Sequence, residues 1–356
     1  MTVDEVIEAA RAQTGLSDYG DPANLEGLEV LLKSYADEAK YTERGSQMAH
    51  ADLVKWMAVR MKIEDWLAQH PDLLDQPIEK PLFVFGLPRT GTTLAINLLA
   101  SDPARRSFLR WESHDPVPPA RPAIHFEEAD SPTECQFLMT PSFCSQVYES
   151  QADIPGYREW FLHKADYLPA FRFHKRYLQM LQANTGGRWT LKNPWHPLYL
   201  PALKEVYPDA QLVMTHRDPA DVLGSIGSLI ENVRKIYSDD VDLETIGQQF
   251  VETFQIMIER QDAFRAQHGQ DAIYDVQYAD VMKDPIGQVR GIYDHFGEPF
   301  TAEAEAAMHA YMDANPKGKH GKHEYSLERY GLSREGVHKT FGDYIERYGI
   351  PVKTAT

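Results

Sequence analysis

Leu82-Phe83-Val84-Phe85-Gly86-Leu87-Pro88-Arg89-Thr90-Gly91-Thr92-Thr93-Leu94-Ala95-Ile96-Asn97-Leu98-Leu99 is the stretch on which the fold turns. A short apolar run of strand type enters a loop whose glycines, Gly86 and Gly91, stand five apart, and a helix pattern follows at once. Backbone N–H groups of such a loop and the start of its helix converge on one anion. The version of this loop that holds nucleoside triphosphates continues Gly-Lys-Ser/Thr, with the lysine on the β- and γ-phosphates and the hydroxyl on Mg²⁺. Here Thr92 stands at the lysine position. A triphosphate would lose a main charge clamp, whereas a less charged ligand can rely on hydroxyls and on Arg89, whose forked guanidinium bridges oxyanions.

Outward from this unit, strand-type runs recur at residues 211–215, after the turn signal Tyr207-Pro208-Asp209, and at 272–276. Helical periodicity fills residues 157–183, 198–206, 222–234 and 243–267. Alternating strands and helices predict an α/β fold: a P-loop-type central parallel sheet flanked by helices. Upstream, residues 3–12, 25–39 and 48–69 read as helices, His70-Pro71 stops the third, and a polar, proline-bounded connector runs from Asp75 to Pro81. The expected organisation is a helical N-terminal region, 1–80, packed on a main domain, 81–356. The chain shows no internal repeat and no low-complexity tract.

The 356 residues are 43% hydrophobic and 25% charged, the composition of a folded globular protein. A formal net charge of −17 argues against a nucleic-acid partner, so any anionic ligand has to be held by a local pocket. The two cysteines, Cys135 and Cys144, are too few for a disulfide framework, fit no common zinc spacing, and are expected as buried free thiols. The first residues lack the basic start and apolar stretch of a signal peptide, and no run reaches the ~18 apolar residues of a spanning helix. The expectation is a cytoplasmic protein that does not span a membrane.

Pro88-Arg89-Thr90-Gly91-Thr92-Thr93 resembles the 5′-phosphosulfate loop of the sulfotransferases that use 3′-phosphoadenosine-5′-phosphosulfate (PAPS), and the longer Gly-Leu-Pro-Arg-Thr-Gly-Thr-Thr form is similar to their bacterial branch. A second strand, turn and helix, Leu212 to Ser225, carries Arg217 and, eight residues on, Ser225, the spacing at which the family binds the 3′-phosphate. Ser225 lies about one helical turn after Asp221, so its hydroxyl can point back toward the strand end. Tyr278, in Val276-Gln277-Tyr278-Ala279-Asp280, resembles the family tyrosine at the adenine, and Lys317 and Gly318 resemble its late loop over the 3′-phosphate. Phe341-Gly342-Asp343-Tyr344 fits the bacterial branch's tail. The chain departs from the pattern at Leu94, where a stacking Trp is common, and at Pro316, where the late loop begins with Arg. The resemblance implies PAPS as donor, PAP as product, no metal, and donor contacts from Arg89, Thr90, Gly91, Thr92, Thr93, Arg217, Ser225, Tyr278, Lys317 and Gly318.

Sulfuryl transfer to a hydroxyl needs a base near the acceptor and a cation near the bridging oxygen. Lys192 and His196, in Thr190-Leu191-Lys192-Asn193-Pro194-Trp195-His196, are candidates for both, similar to the Lys-x-His of the animal branch but four residues apart rather than two. Glu112 is the competing base, by resemblance to family members with a glutamate after the second strand, and His114 ranks third. A packed core histidine is the alternative for His196. His320 and His323 could suggest a metal pair but are expected in a solvated or phosphate-facing loop. Residues 117–177, rich in Phe, Tyr, Met and Trp, suit either an apolar acceptor pocket or helical core. The expected acceptor is a small, largely apolar alcohol: a phenol, sterol or lipid. A P-loop kinase and a non-catalytic nucleotide binder are the rival readings, and a homo-oligomer is left open.

Overall fold

The computed structural model describes residues 1–117, 130–183, 185–316 and 326–352. Its strands are β1 (Leu82–Gly86), β2 (Arg105–Ser107), β3 (Arg188–Lys192), β4 (Gln211–His216) and β5 (Tyr274–Gln277). They form one five-stranded sheet in the order β2-β3-β1-β4-β5, and each pairing is parallel. From the central β1 the chain builds first toward β3 and β2 and later toward β4 and β5. The crevice beyond the carboxyl ends of β1 and β4 is therefore a topological switch point, where open α/β sheets bind ligands.

β1 and β4 are buried throughout, as strands covered on both faces must be. Side-chain alternation splits them between two cores. Leu82, Val84 and Val213 face the helices Thr92–Ser101, Pro285–Phe296 and Ala302–Ala314, packing with Leu98, Ile292 and Met308. Phe83, Phe85, Leu212 and Met214 face the larger core. That core is continuous with Val6, Leu31 and Met57 of the helices Val3–Thr14, Leu25–Asp37 and Glu43–Gln69.

Local signals account for most helix ends. Thr2 caps the first helix with a capping box, Thr42 accepts from Gly45 N at the start of Glu43–Gln69, and Pro219 opens Pro219–Tyr237 behind the Asp218 cap. Residues 157–183 form two helices rather than one, Pro155–His163 and Leu168–Gln182, because Asp166 accepts from Leu168 N at 2.9 Å and Pro169 starts a new first turn. Residues 270–272 form a 3₁₀ turn, so β5 begins at Tyr274 rather than 272. Among the described residues no helix is long and apolar enough to cross a membrane. Cys135 and Cys144 are buried and free.

Candidate functional site

The helix Thr92–Ser101 starts at Gly91, which has φ +89° and no side chain to cap the helix. The first N–H groups of that helix thus have no side-chain acceptor and point into the crevice. A Cβ on Gly91 would stand 2.9 Å from the Tyr278 ring, so only glycine lets the loop approach that tyrosine. A Cβ on Gly86 would stand 2.3 Å from the Thr215 carbonyl oxygen, which fixes how closely the ends of β1 and β4 meet. The Thr90 hydroxyl lies 2.7 Å from the Leu87 carbonyl and 2.5 Å from the Thr215 hydroxyl, fully buried. It is spent on holding the loop to β4, and what Thr90 offers an anion is its backbone N–H. The Thr92 side chain is buried and that of Thr93 exposed.

Arg89 is exposed and has φ +67°, a left-handed conformation that a non-glycine residue adopts only where its surroundings enforce it. Its Nε donates to the Ser225 hydroxyl at 3.1 Å, and its carbonyl accepts from Arg217 Nη1 at 2.8 Å. Arg217 also lies over the Tyr278 ring at 4.3 Å and 3.6 Å from an Asp221 carboxylate oxygen. Asp221 in turn accepts from Arg334 Nη2 at 2.8 Å, while the Asp218 carboxylate accepts from Arg334 Nη1 at 2.9 Å. The structure thus brings Arg89, Gly91, Thr92, Thr93, Arg217, Ser225 and Tyr278 together in one cradle at the switch point. The Arg89 guanidinium is held by the Ser225 hydroxyl, and that of Arg217 by a backbone carbonyl, the Tyr278 ring and the Asp221 carboxylate, which Arg217 shares with Arg334. Lys317, Gly318, His320 and His323 lie outside the described residues.

Lys192 and His196 separate. Lys192 is paired with Val84 in the β1–β3 register and so projects on the face of helix Thr92–Ser101. Its ammonium is bonded to Glu134, and its side chain is 7% exposed. His196 instead faces the larger core. Its ring lies 5.1 Å from that of Phe83, 6.1 Å from Phe171 and 5.9 Å from Tyr199, with 0% exposure. Neither ring nitrogen has a hydrogen-bond partner, and burial, with His174 nearby, pushes the pKa well below that of a free imidazole. The two residues do not form one polar site, and His196 has the surroundings of a core histidine.

Glu112 is buried in the turn Trp111–Ser113, with one oxygen 2.5 Å from Arg106 Nη2 and the other accepting from Leu109 N at 2.9 Å. Burial raises its pKa against the lowering by Arg106. His114 Nδ1 lies 3.0 Å from Lys55 Nζ, and burial, then Lys55, lowers its pKa. Phe143, Tyr148, Tyr157 and Phe161 belong to the larger core, so this part of the aromatic-rich segment is core, not pocket lining. Glu134 and Thr215 drew no attention in the sequence: Glu134 sits 58 residues from Lys192, and no local pattern joins them. Among the described residues no group of three or more His, Cys, Asp or Glu is placed to hold a metal ion.

Comparison with known proteins gives a consistent result. Residues 81–302 match the pattern of the family described as the sulfotransferase family. Sulfotransferase STF9 of Mycobacterium avium is 31% identical, with a TM-score of 0.93 over 99% of this chain and 98% of that one. Sulfotransferase STF1 of Mycobacterium tuberculosis H37Rv is 34% identical, with a TM-score of 0.87 over 96% and 99%. Omega-hydroxy-beta-dihydromenaquinone-9 sulfotransferase Stf3 of Mycobacterium tuberculosis is 23% identical over 299 residues, 76% of this chain and 75% of the relative.

Proposed function

Since this chain belongs to the sulfotransferase family and is an enzyme of that type, we propose that PAPS is its donor and that a hydroxyl of a small, largely apolar molecule is its acceptor. The observation that carries the donor assignment is the convergence of Arg89, Ser225, Arg217 and Tyr278 beside an uncapped helix start. A nucleotide phosphorylated at both 5′ and 3′ positions needs two anion sites joined by a nucleoside platform. The N–H groups at Thr92 and Thr93, with Arg89, suit the 5′-phosphosulfate. Arg217 and Ser225 suit the 3′-phosphate, and the Tyr278 ring suits the adenine. Lys192, on the face of the same helix, supplies positive charge toward the oxygen that leaves with PAP. The apolar, hydroxyl-bearing character of the acceptor is supported by the name of one relative, an omega-hydroxy-beta-dihydromenaquinone-9 sulfotransferase.

Calorimetry with PAP and with ATP, each with and without EDTA, tests the donor. PAP is expected to bind more tightly than ATP and to be indifferent to chelation. Tighter ATP binding that vanishes with EDTA would replace this reading by a kinase.

A further inference from the structure

Glu134 stands beside Lys192 on a segment that the sheet itself holds in place. Arg110 N donates to the Ser131 carbonyl at 3.0 Å, Thr133 N to the Phe108 carbonyl at 2.7 Å, and Cys135 N to the Lys192 carbonyl at 2.8 Å. Residues 131–135 therefore cross the carboxyl ends of β2 and β3, and Glu134 is delivered to the Lys192 ammonium. Its second oxygen accepts from Gln136 Nε2 at 2.6 Å. Lys192 is 7% exposed and Glu134 24%, so the carboxylate is the more open member of the pair.

Two of the other candidate bases, His196 and Glu112, are less available. His196 is walled in by aromatic rings on the opposite face of the sheet. Glu112 has both oxygens engaged, as Glu134 does, but its side chain is only 2% exposed against 24% for Glu134. Glu134 alone of these combines partial exposure with contact to the cation on the face of the donor-binding helix.

On the reading that this enzyme transfers a sulfuryl group, we propose that Glu134 is its catalytic base and that Lys192 is the cation it works beside. The acceptor hydroxyl gives its proton to the Glu134 carboxylate as the acceptor oxygen bonds to sulfur. The bond from sulfur to the bridging oxygen breaks, and its electron pair stays on the 5′-phosphate oxygen of PAP, toward which the Lys192 ammonium turns. The proton on Glu134 passes to solvent when the sulfate ester leaves.

The test uses the full chain and its Glu134→Gln and Glu134→Asp variants, with PAPS as donor and 2-naphthol or p-nitrophenol as acceptor, and PAP calorimetry alongside. Gln keeps the size of the side chain and an oxygen for Lys192. With 2-naphthol, Glu134→Gln is expected to lower kcat by about 10²–10⁴ and to leave PAP affinity within about twofold. With p-nitrophenol, assayed at a pH where it is ionised and has no proton to lose, the drop is expected to be at least about tenfold smaller. Glu134→Asp should recover part of the 2-naphthol rate. Unchanged turnover, or equal losses on both phenols, would overturn the assignment and leave Glu134 a structural partner of Lys192. A wild type that binds no PAP would overturn the donor reading itself. One that binds PAP yet sulfates neither phenol would remove the acceptor class, and the base assignment with it.

Discussion

Arg217 is held on three sides, by the Arg89 carbonyl, the Tyr278 ring and the Asp221 carboxylate. A guanidinium fixed in this way loses little freedom when it meets a phosphate. Arg217→Ala is expected to weaken PAP binding by about 1.5–3 kcal/mol, the range for hydrogen bonds to a charged group. Adenosine 5′-phosphosulfate, which lacks the 3′-phosphate, should lose far less. Equal losses for both nucleotides, measured by calorimetry, would mean that Arg217 only shapes the loop. Arg217, Ser225, Arg89 and Tyr278 were picked out in the sequence by resemblance to the family's motifs, each within a local strand, turn and helix unit, and the fold sets them side by side. Glu134 was not, because its partner comes from a different strand and only the fold joins them. Nor was the inward turn of the Thr90 hydroxyl, which depends on Thr215 reaching across from β4.

Among the elements, β1 and the helix Thr92–Ser101 could be read directly, since an apolar run, a glycine loop and a helical period follow one another without interruption. β2 and β3 could not. β2 is three residues with two arginines, and it stands as a buried strand because Arg105 reaches Tyr293 OH at 2.8 Å and bonds Glu298, while Arg106 lies 4.2 Å over the Trp189 ring. Those partners come from elsewhere in the chain, so tertiary contacts override the local preference. The turn after β3 carries a testable consequence. His196 is buried with both ring nitrogens unpartnered, and His174, beneath it, keeps a single bond to Tyr207 OH. Burial pushes the His174 pKa down to about 3 and His196 in the same direction. The unfolded chain, with imidazoles near ~6.5, therefore binds more protons than the folded one on the acid side. Stability from these groups is present above about pH 6.5 and lost as pH falls toward their folded values. His196→Leu should flatten that acid-side loss in thermal melts by up to one proton, leave stability at pH 8 no lower, and keep turnover. A folded variant without turnover would restore His196 as the base.

At the scale of the whole molecule, a chain of net charge −17 concentrates Arg89, Arg217 and Lys192 at the carboxyl edge of one sheet. The parallel order β2-β3-β1-β4-β5 makes this economical, because three adjacent strands, β3, β1 and β4, end at the same crevice. The aromatic core that joins the N-terminal helices to Phe83 and Phe85 holds that edge from behind. The general architecture was legible from the alternation of strand and helix signals. The side to which each strand end turns its cation was not, since it follows from pairing register. The most direct test of the account is a crystal structure of the protein with PAP bound. The 5′-phosphate is expected on the N–H groups of Thr92 and Thr93 with Arg89 beside it, the 3′-phosphate between Arg217 and Ser225, and the adenine near Tyr278. PAP bound away from the Gly86–Gly91 loop, or with its 3′-phosphate touching neither Arg217 nor Ser225, would contradict it.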